Sequence, residues 1–385
     1  MSKKLAIKKL TASDLTFFEY HYRNNPAGKQ KAINLNADVF IEKMYPFLET
    51  VAENNRNRIP ITLEFYGPGI RYNVYSLTRK IIKGENYKNW RLDGELIHEQ
   101  DDAPDRFKSL IPGDFAVMEF DGSETYPNLC KIILIGLNFP DDVGLHGHFQ
   151  NFMVEKSMKL LSISELEEIV AQIKPEINPQ HPIFELILDE AIEDAAQGGI
   201  QGIKILARRP SYSTVRDPDA LERAWQKAAK IGRKGEELVD VYLTKQKTNS
   251  IISDYEWASR DNAVSPYDFI IWDKDNIKVL IDVKTTEYDF EQALHISFNE
   301  LLTMRDHNGK YDLFRVYNVT ENSGNLRIAS DLKKFSEKIL EILEQLPKGV
   351  TSDSISVKPR IISFGNEVSL SIQNTNDTQY FNENE

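Results

Sequence analysis

Apolar and polar positions alternate in two textures along the chain. Through about residue 140 the apolar positions come in short β-rich runs: LAIKKL, KAINL, ITLEFY, YNVYSLTR, GDFAVMEF and LCKIILIGL. Turn signals separate them at Asn24-Asn25-Pro26-Ala27-Gly28, Gly67-Pro68-Gly69, Pro112-Gly113-Asp114 and Asp121-Gly122-Ser123. Many short strands of this kind predict a barrel or a sandwich. One stretch departs from the pattern: in VFIEKMYPFLETV, the residues Phe40, Met44, Phe47 and Leu48 recur at helical spacing.

From about residue 141 the periodicity becomes helical. Ser162 with Glu165 and Ser164 with Glu167 form overlapping capping boxes that open ELEEIVAQI, and Pro175, Pro179 and Pro182 then break the chain. A second helix, IFELILDEAIEDAA, ends at Gly198-Gly199. Asp217-Pro218, an N-cap followed by proline in the first turn, starts a longer helical pattern that runs to about Leu243. Helix, hairpin, helix and strand follow to about residue 320, then a helix over 331–346 and two late strands in ISVKPRIISFGNEVSLSI. The polar end, NTNDTQYFNENE, lacks the apolar residues a core needs. The pattern therefore predicts a two-domain α+β or α/β chain: a β-barrel domain over 1–145, a helical connector over 146–215, a second domain over 216–372 and a disordered tail over 373–385.

Composition narrows this. A chain of 385 residues exceeds one ordinary domain, and 41% hydrophobic with 28% charged residues is the balance of a soluble globular protein. No apolar run reaches the ~18 residues of a membrane span, and MSKKLAIKKL lacks the apolar core of a signal peptide, so a cytoplasmic protein without membrane partners is expected. Cys130 is the single cysteine, which excludes an intrachain disulfide and a thiolate zinc cluster. The net charge of −12 disfavours a protein that coats nucleic acid, yet basic residues outnumber acidic ones through residue 95. No Walker A loop, dinucleotide fingerprint or G-x-S-x-G elbow is present, so no nucleotide cofactor and no serine hydrolysis are expected. His146 and His148 share a glycine-containing loop without a third ligand, too few for a metal site.

The chemistry concentrates in SPYDFIIWDKDNIKVLIDVKTT, where acids and a lysine lie on apolar strands. With the hairpin turn centred near Asp275, Asp268 lies opposite Asp282, and the period of two puts Asp282 and Lys284 on one face. Two buried acids facing each other are destabilising unless something positive lies between them. A divalent cation with oxygen ligands fits, and Lys284 can hold charge that develops on a phosphate. On GRKGEELVDVYL, the residues Ile231, Gly235, Leu238, Val239, Tyr242 and Leu243 form an apolar stripe; Glu236 falls at its shoulder, toward the site, and Glu237 falls toward solvent. Ser297 and Glu300 form a capping box, so Glu300 is expected to cap its own helix, with a direct catalytic role as the lesser alternative. Arg315 and Tyr317 alternate on a strand that faces DNA or water, and Thr285 and Thr286 are within reach of a phosphate.

GRKGEELVDVYL, SPYDFII, VLIDVKTT, HISFNELLTM and YDLFRVYNV together resemble the PD-(D/E)XK nuclease superfamily, in particular a branch attached to restriction and defence proteins. The likeness covers about residues 225–320. It implies a restriction-endonuclease-like fold in which Glu236, Asp268, Asp282 and Lys284 are catalytic, with Mg²⁺ held by Asp268, Asp282 and Glu236. The proline here is Pro266, two residues before Asp268, so the literal Pro-Asp pair is absent.

KKLTASDLTFFEYHYRNNPAGKQKAINLNADVFIEKMYPFL, with NWRLDGE and RFKSLIPGDFAVMEFDG, resembles the B3-like DNA-recognition pseudobarrel of plant transcription factors and restriction-enzyme effector domains. That likeness implies two arms in the major groove, Ser13 to Lys31 and Tyr87 to Asp93. Arg23, Asn24, Asn25, Lys29, Trp90 and Arg91 are then the base-reading candidates, and Lys8, Lys9 and Lys31 the phosphate contacts. The resulting expectation is a Mg²⁺-dependent, sequence-specific endodeoxyribonuclease that cuts double-stranded DNA as a homodimer in defence against foreign DNA. Two alternatives stay open: a DNA or modified-base reader with a silent nuclease fold, and an enzyme that cuts only modified DNA.

Overall fold

A computed structural model describes residues 3–25, 29–53, 58–84, 88–173, 177–196, 199–207, 220–261, 265–347 and 350–372. The expected turn at Pro26-Ala27-Gly28, Tyr87 of the second arm, Pro175, Gly198, the Asp217-Pro218 helix start and the tail over 373–385 lie outside the described residues. The described residues are mixed α and β and fall into two compact units that divide between Leu188 and Asp189.

In the first unit the strands are β1 (Lys4–Lys9), β2 (Ala32–Leu35), β3 (Arg58–Tyr66), β4 (Tyr75–Ile82), β5 (Trp90–Asp93), β6 (Phe115–Gly122), β7 (Pro127–Ile135) and β8 (Met158–Leu161). They form one sheet in the order β2-β5-β4-β3-β7-β6-β1-β8, antiparallel except for the parallel β3–β7 pair. Alternation decides which side is core: on β3, Ile59, Ile61, Leu63 and Phe65 are buried while the residues between them are less so. The sheet curls until its ends approach, because Asn36, just after β2, donates from Nδ2 to Ser157 Oγ beside β8 at 2.9 Å. Asn36 Oδ1 also accepts from Lys8 Nζ of β1 at 3.1 Å. The sheet is thus barrel-like around a core that includes Phe18, Phe40, Phe65 and Trp90.

Six of these strands lie where the β-rich runs predict them; β5 and β8 do not. β8 comes from the stretch expected as a helical connector, yet Leu5–Lys8 pair with it as the sheet's last strand. The expected single helix over VFIEKMYPFLETV is broken. Phe40–Met44 forms a wide turn of π-helix, a separate helix spans Leu48–Glu53, and Pro46 between them cannot supply the N–H that continuity needs. Phe47 is consequently 65% exposed and lies off the core face. His146 and His148 lie on a helix, Val143–Phe152, in place of the expected loop, with His146 Nε2 3.3 Å from Asp114 Oδ1. Ser162 and Glu165 form the capping box that opens the helix Ile163–Gln172.

The second unit holds β9 (Asp254–Trp257), β10 (Phe269–Trp272), β11 (Lys278–Thr285), β12 (Leu294–Ser297), β13 (Lys310–Tyr317), β14 (Ser323–Ala329), β15 (Ser354–Val357) and β16 (Val368–Ser371). Six strands form a sheet in the order β16-β14-β13-β11-β10-β9, and β12 pairs with β15 separately. The β11–β13 pair is parallel, joined by a crossover through β12 and the helix Phe298–Asp306. A long helix, Ala220–Thr248, covers one face: its Leu238, Val239 and Leu243 pack with Phe269, Ile281, Val283 and Phe314. The opposite face packs Ile270, Leu280 and Leu313 against Leu301, Met304 and Leu340 of the helices Phe298–Asp306 and Lys333–Glu344. No helix among the described residues is long and apolar enough to cross a membrane.

Candidate functional site

The β10–β11 hairpin has the register that its pattern predicts. Phe269 pairs with Ile281, Ile270 with Leu280, Ile271 with Val279 and Trp272 with Lys278, all symmetric about Asp275. Asp273 Oδ1 ties the turn by accepting the N–H groups of Asp275 and Ile277 at 2.9 and 2.8 Å. The expected face-to-face pair of Asp268 and Asp282 is modified at the next step. Asp268 donates its N–H to Ile281 O at 2.8 Å, and its carboxylate Oδ2 accepts the N–H of Val283 at 2.7 Å. Asp268 therefore steps off the ladder and caps β11 with its side chain.

Asp282, only 4% exposed, points to the face that carries the helix Phe298–Asp306, as does Lys284 two residues on. Lys284 Nζ stands 2.9 Å from Glu300 Oε1, in a hydrogen bond, and 3.0 Å from Asp282 Oδ2, in an ion-pair contact that leaves Oδ2 without a hydrogen bond. Glu300 also completes its capping box: Oε2 accepts Ser297 N–H at 2.7 Å, and Ser297 Oγ accepts Glu300 N–H at 3.2 Å. The expected cap is present, and the same side chain is a member of the charged cluster, which sequence alone did not assign. The signal was nonlocal, since the crossover between β11 and β13 is what lays this helix N-terminus over Lys284.

Glu236 approaches from the long helix on the other face. Its Oε2 accepts from Trp257 Nε1 at 2.9 Å and Ser259 Oγ at 2.8 Å, and its charge acts on Asp268. Glu237 is exposed, as its place on the helix predicts. Gly235 makes the approach of helix to sheet possible: a Cβ there would meet Thr285 Oγ1 at 1.9 Å. Tyr311 of β13 was not singled out by sequence. It lies under the cluster, its hydroxyl donating to Pro266 O at 2.5 Å. That bond gives Pro266 a role in place: it holds the approach to Asp268.

Electrostatics follow from the crowding. Burial, and then the nearby Glu236 charge, push Asp268 up to about 6. Burial pushes Asp282 well above the usual carboxylate range, with Glu300 and Asp268 adding to the effect against the pull of Lys284. Burial alone would lower Lys284, but Asp282 and Glu300 outweigh it and its ammonium is held charged. The donor set, Asp268, Asp282, Glu236 and Glu300, is all oxygen and suits a hard divalent cation, and Asp282 Oδ2 is a buried oxygen without a hydrogen bond. Among the described residues, however, no three His, Cys, Asp or Glu side chains are close enough to share one ion. Three of the acids are occupied by protein donors, Asp268 by Val283 N–H, Glu300 by Lys284 and Glu236 by Trp257 with Ser259, while Asp282 has only its ion-pair contact with Lys284.

Arg315 and Tyr317 do not face water: both are buried, Arg315 at 2% exposure. In the first unit the nucleic-acid candidates divide. Trp90 is 1% exposed, because alternation on β5 sends Trp90 and Leu92 into the core and turns Arg91 outward; Trp90 therefore presents nothing to a base. Lys8 is 2% exposed, with Nζ between Asn36 Oδ1 and the buried Asp14 at 3.1 and 3.6 Å, so it braces the sheet and meets no phosphate. Lys9 Nζ donates to Gln150 at 3.2 Å. Asn24 and Asn25 donate from Nδ2 to Tyr20 O and Ala12 O, at 2.7 and 3.0 Å, and so brace the helix Glu19–Asn24 locally. Arg23, Lys29 and Lys31 remain exposed; Arg23 pairs with Glu19, and both ammonium groups lie within about 5.2 Å of the Tyr22 ring.

Residues 235–329 match the family model described as Protein NO VEIN, C-terminal, which spans well under half of the chain and includes Glu236, Asp268, Asp282, Lys284 and Glu300. No curated protein matches the chain.

Proposed function

We propose that this chain is a Mg²⁺-dependent, sequence-specific DNA endonuclease of restriction type, acting in the cytoplasm against foreign DNA. In this reading the barrel-like unit, a B3-like recognition domain, binds the duplex and the second unit, of PD-(D/E)XK type, cuts it. The observation that carries the reading is the convergence of two buried acids with raised pKa values and a charged lysine at the end of one strand. Stability alone gives no reason to place like charges there, and perturbed groups of this kind collect at functional sites. Asp268 and Asp282 are the residues to hold the cation, with Glu236 completing the shell. When bound there, Mg²⁺ supplies Lewis acidity toward a phosphate and makes water a better nucleophile near neutral pH. Lys284, held charged by Asp282 and Glu300, is placed to stabilise negative charge that develops on the scissile phosphate. One such centre cuts one strand, so a double-strand break requires two copies of the chain.

Replacing Lys284 by Ala tests this. Plasmid cleavage in Mg²⁺ should fall by at least about 100-fold while DNA binding persists. Cleavage at the wild-type rate would refute the assignment.

A second reading has its own support. Lys284 already links Asp282 to Glu300, and no three carboxylates stand at ligand spacing among the described residues. A DNA or modified-base reader that keeps a silent nuclease fold would look the same. Purified protein that binds modified or unmodified DNA yet cuts neither in Mg²⁺ or Mn²⁺ would favour it, and cleavage confined to modified DNA would define a modification-dependent enzyme.

A further inference from the structure

The acids proposed to share a cation come from different elements: Glu236 from the long helix, Asp268 from the lead into β10 and Asp282 from β11. A run of hydrogen bonds fixes their spacing, and it passes through Ser259, in the short helix Ala258–Asp261 between β9 and β10. The Ser259 hydroxyl donates to Glu236 Oε2 at 2.8 Å, and its backbone N–H donates to Asp268 O at 3.1 Å. Asp268 is tied in turn to both chain neighbours of Asp282, by its N–H to Ile281 O at 2.8 Å and by its Oδ2 to the Val283 N–H at 2.7 Å. Helix and sheet are therefore joined at the acids themselves, with Ser259 as the link.

Trp257 is the second donor. Its Nε1–H lies 2.9 Å from both Glu236 Oε2 and Ser259 Oγ, so one indole proton is shared between the acid and the hydroxyl that serves it. The indole is itself held: Trp257 pairs with Phe269 across β9 and β10, and the two rings stack with centroids 5.2 Å apart at 28°. The guanidinium groups of Arg233 and Arg260 lie 4.9 and 5.7 Å from the centre of the Trp257 ring. Both donors converge on Oε2, and no described residue donates to Oε1. A half-buried glutamate at the shoulder of a helix would otherwise sample many rotamers and lose that freedom on meeting an ion. Held beforehand, it loses little. We propose that Trp257 and Ser259 are positioning residues: they immobilise Glu236 through Oε2, at a set place beside Asp268, so that Oε1 is the oxygen it offers to the cation. Neither touches the reacting atoms. This rests on the metal site of the proposed nuclease and adds the residues that hold its third acid.

Hydrogen-bond partners of a metal ligand are typically worth about 10–100-fold in metal affinity. Mn²⁺ affinity, measured by titration calorimetry on the full chain without DNA, therefore tests the proposal. Trp257→Phe keeps a ring against Phe269 and removes the indole N–H; Ser259→Ala removes the hydroxyl and keeps the backbone N–H. Each should weaken Mn²⁺ binding about tenfold or more with little change in melting temperature, and Ser259→Thr, which keeps a hydroxyl, should bind within about threefold of wild type. The same changes in a Glu236→Ala background separate positioning from packing: donors that act through Glu236 cost nothing further there, whereas residues that only support the fold cost the same factor with or without it. Wild-type affinity in Trp257→Phe and Ser259→Ala, wild-type affinity in Glu236→Ala, or an undiminished loss in the Glu236→Ala background overturns the proposal. In each of those cases Mn²⁺ binding that is still abolished by Asp268→Asn leaves the metal site standing. Wild-type protein that binds no Mn²⁺ overturns the metal site, and the positioning role falls with it.

Discussion

Glu300 holds two structures together at once, one oxygen on the N-terminus of its own helix and the other on Lys284. Glutamine serves a capping box about as well as glutamate. Glu300→Gln should therefore keep most of the stability but release the ammonium, and cleavage should drop about tenfold or more with little change in melting temperature. Glu300→Ala should lose the cap as well, at about 1 kcal/mol of stability, read by thermal denaturation. Asp268 gives a pH prediction. Its folded-state value is raised to about 6, by burial first and then by Glu236, above the ordinary ~3.9 of an unfolded aspartate. The folded protein then binds this proton more tightly, so metal-free stability should fall as pH rises from about 4 through 6, by on the order of 3 kcal/mol. Asp268→Asn should flatten that slope in urea titrations at successive pH values. The β10–β11 register was legible because the turn is symmetric, but the step of Asp268 off the ladder onto Val283 N–H was not. Glu300 and Tyr311 were not, since their neighbours come from elsewhere in the chain.

Among the elements, the meeting of the long helix with β11 sets the site. Gly235 lies against Thr285, and an added Cβ would come within 2.7 Å of Thr285 Cβ as well as its hydroxyl, so rotating the threonine cannot relieve the clash. Gly235→Ala should cost about 1–3 kcal/mol despite alanine's better helix propensity, and should weaken cleavage because Glu236 moves with the helix. Thermal denaturation beside a cleavage assay checks it. Local pattern read most elements well: six strands of the first sheet, the β10–β11 register and the Ser162 and Ser297 capping boxes all follow from neighbours in sequence. It failed where position in the sheet decides. β8 is a four-residue strand that exists because β1 offers it an edge, and Pro46 overrides the helical spacing around it. Trp90 and Lys8 were expected at a nucleic-acid surface from likeness alone, whereas burial on β5 and β1 turns both inward.

At the scale of the whole molecule, the proposed function has the barrel-like unit contact DNA and the second unit cut it. Arg23, Lys29 and Lys31 are the exposed basic groups left on the first arm. Lys29→Ala with Lys31→Ala should lower DNA affinity on all sequences and reduce the salt slope by about 2, while leaving the melting temperature unchanged; titrations at several salt concentrations read this. In the second unit, the proposed function requires Asp268 and Asp282 to hold a divalent cation that serves phosphodiester hydrolysis. Crystals of the protein grown with Mn²⁺ and measured for anomalous scattering address it directly. An anomalous peak bounded by Asp268 and Asp282, with Lys284 turned toward open space beside it, is the predicted result. Saturating Mn²⁺ with no peak there, and Lys284 still fixed between Asp282 and Glu300, would contradict it.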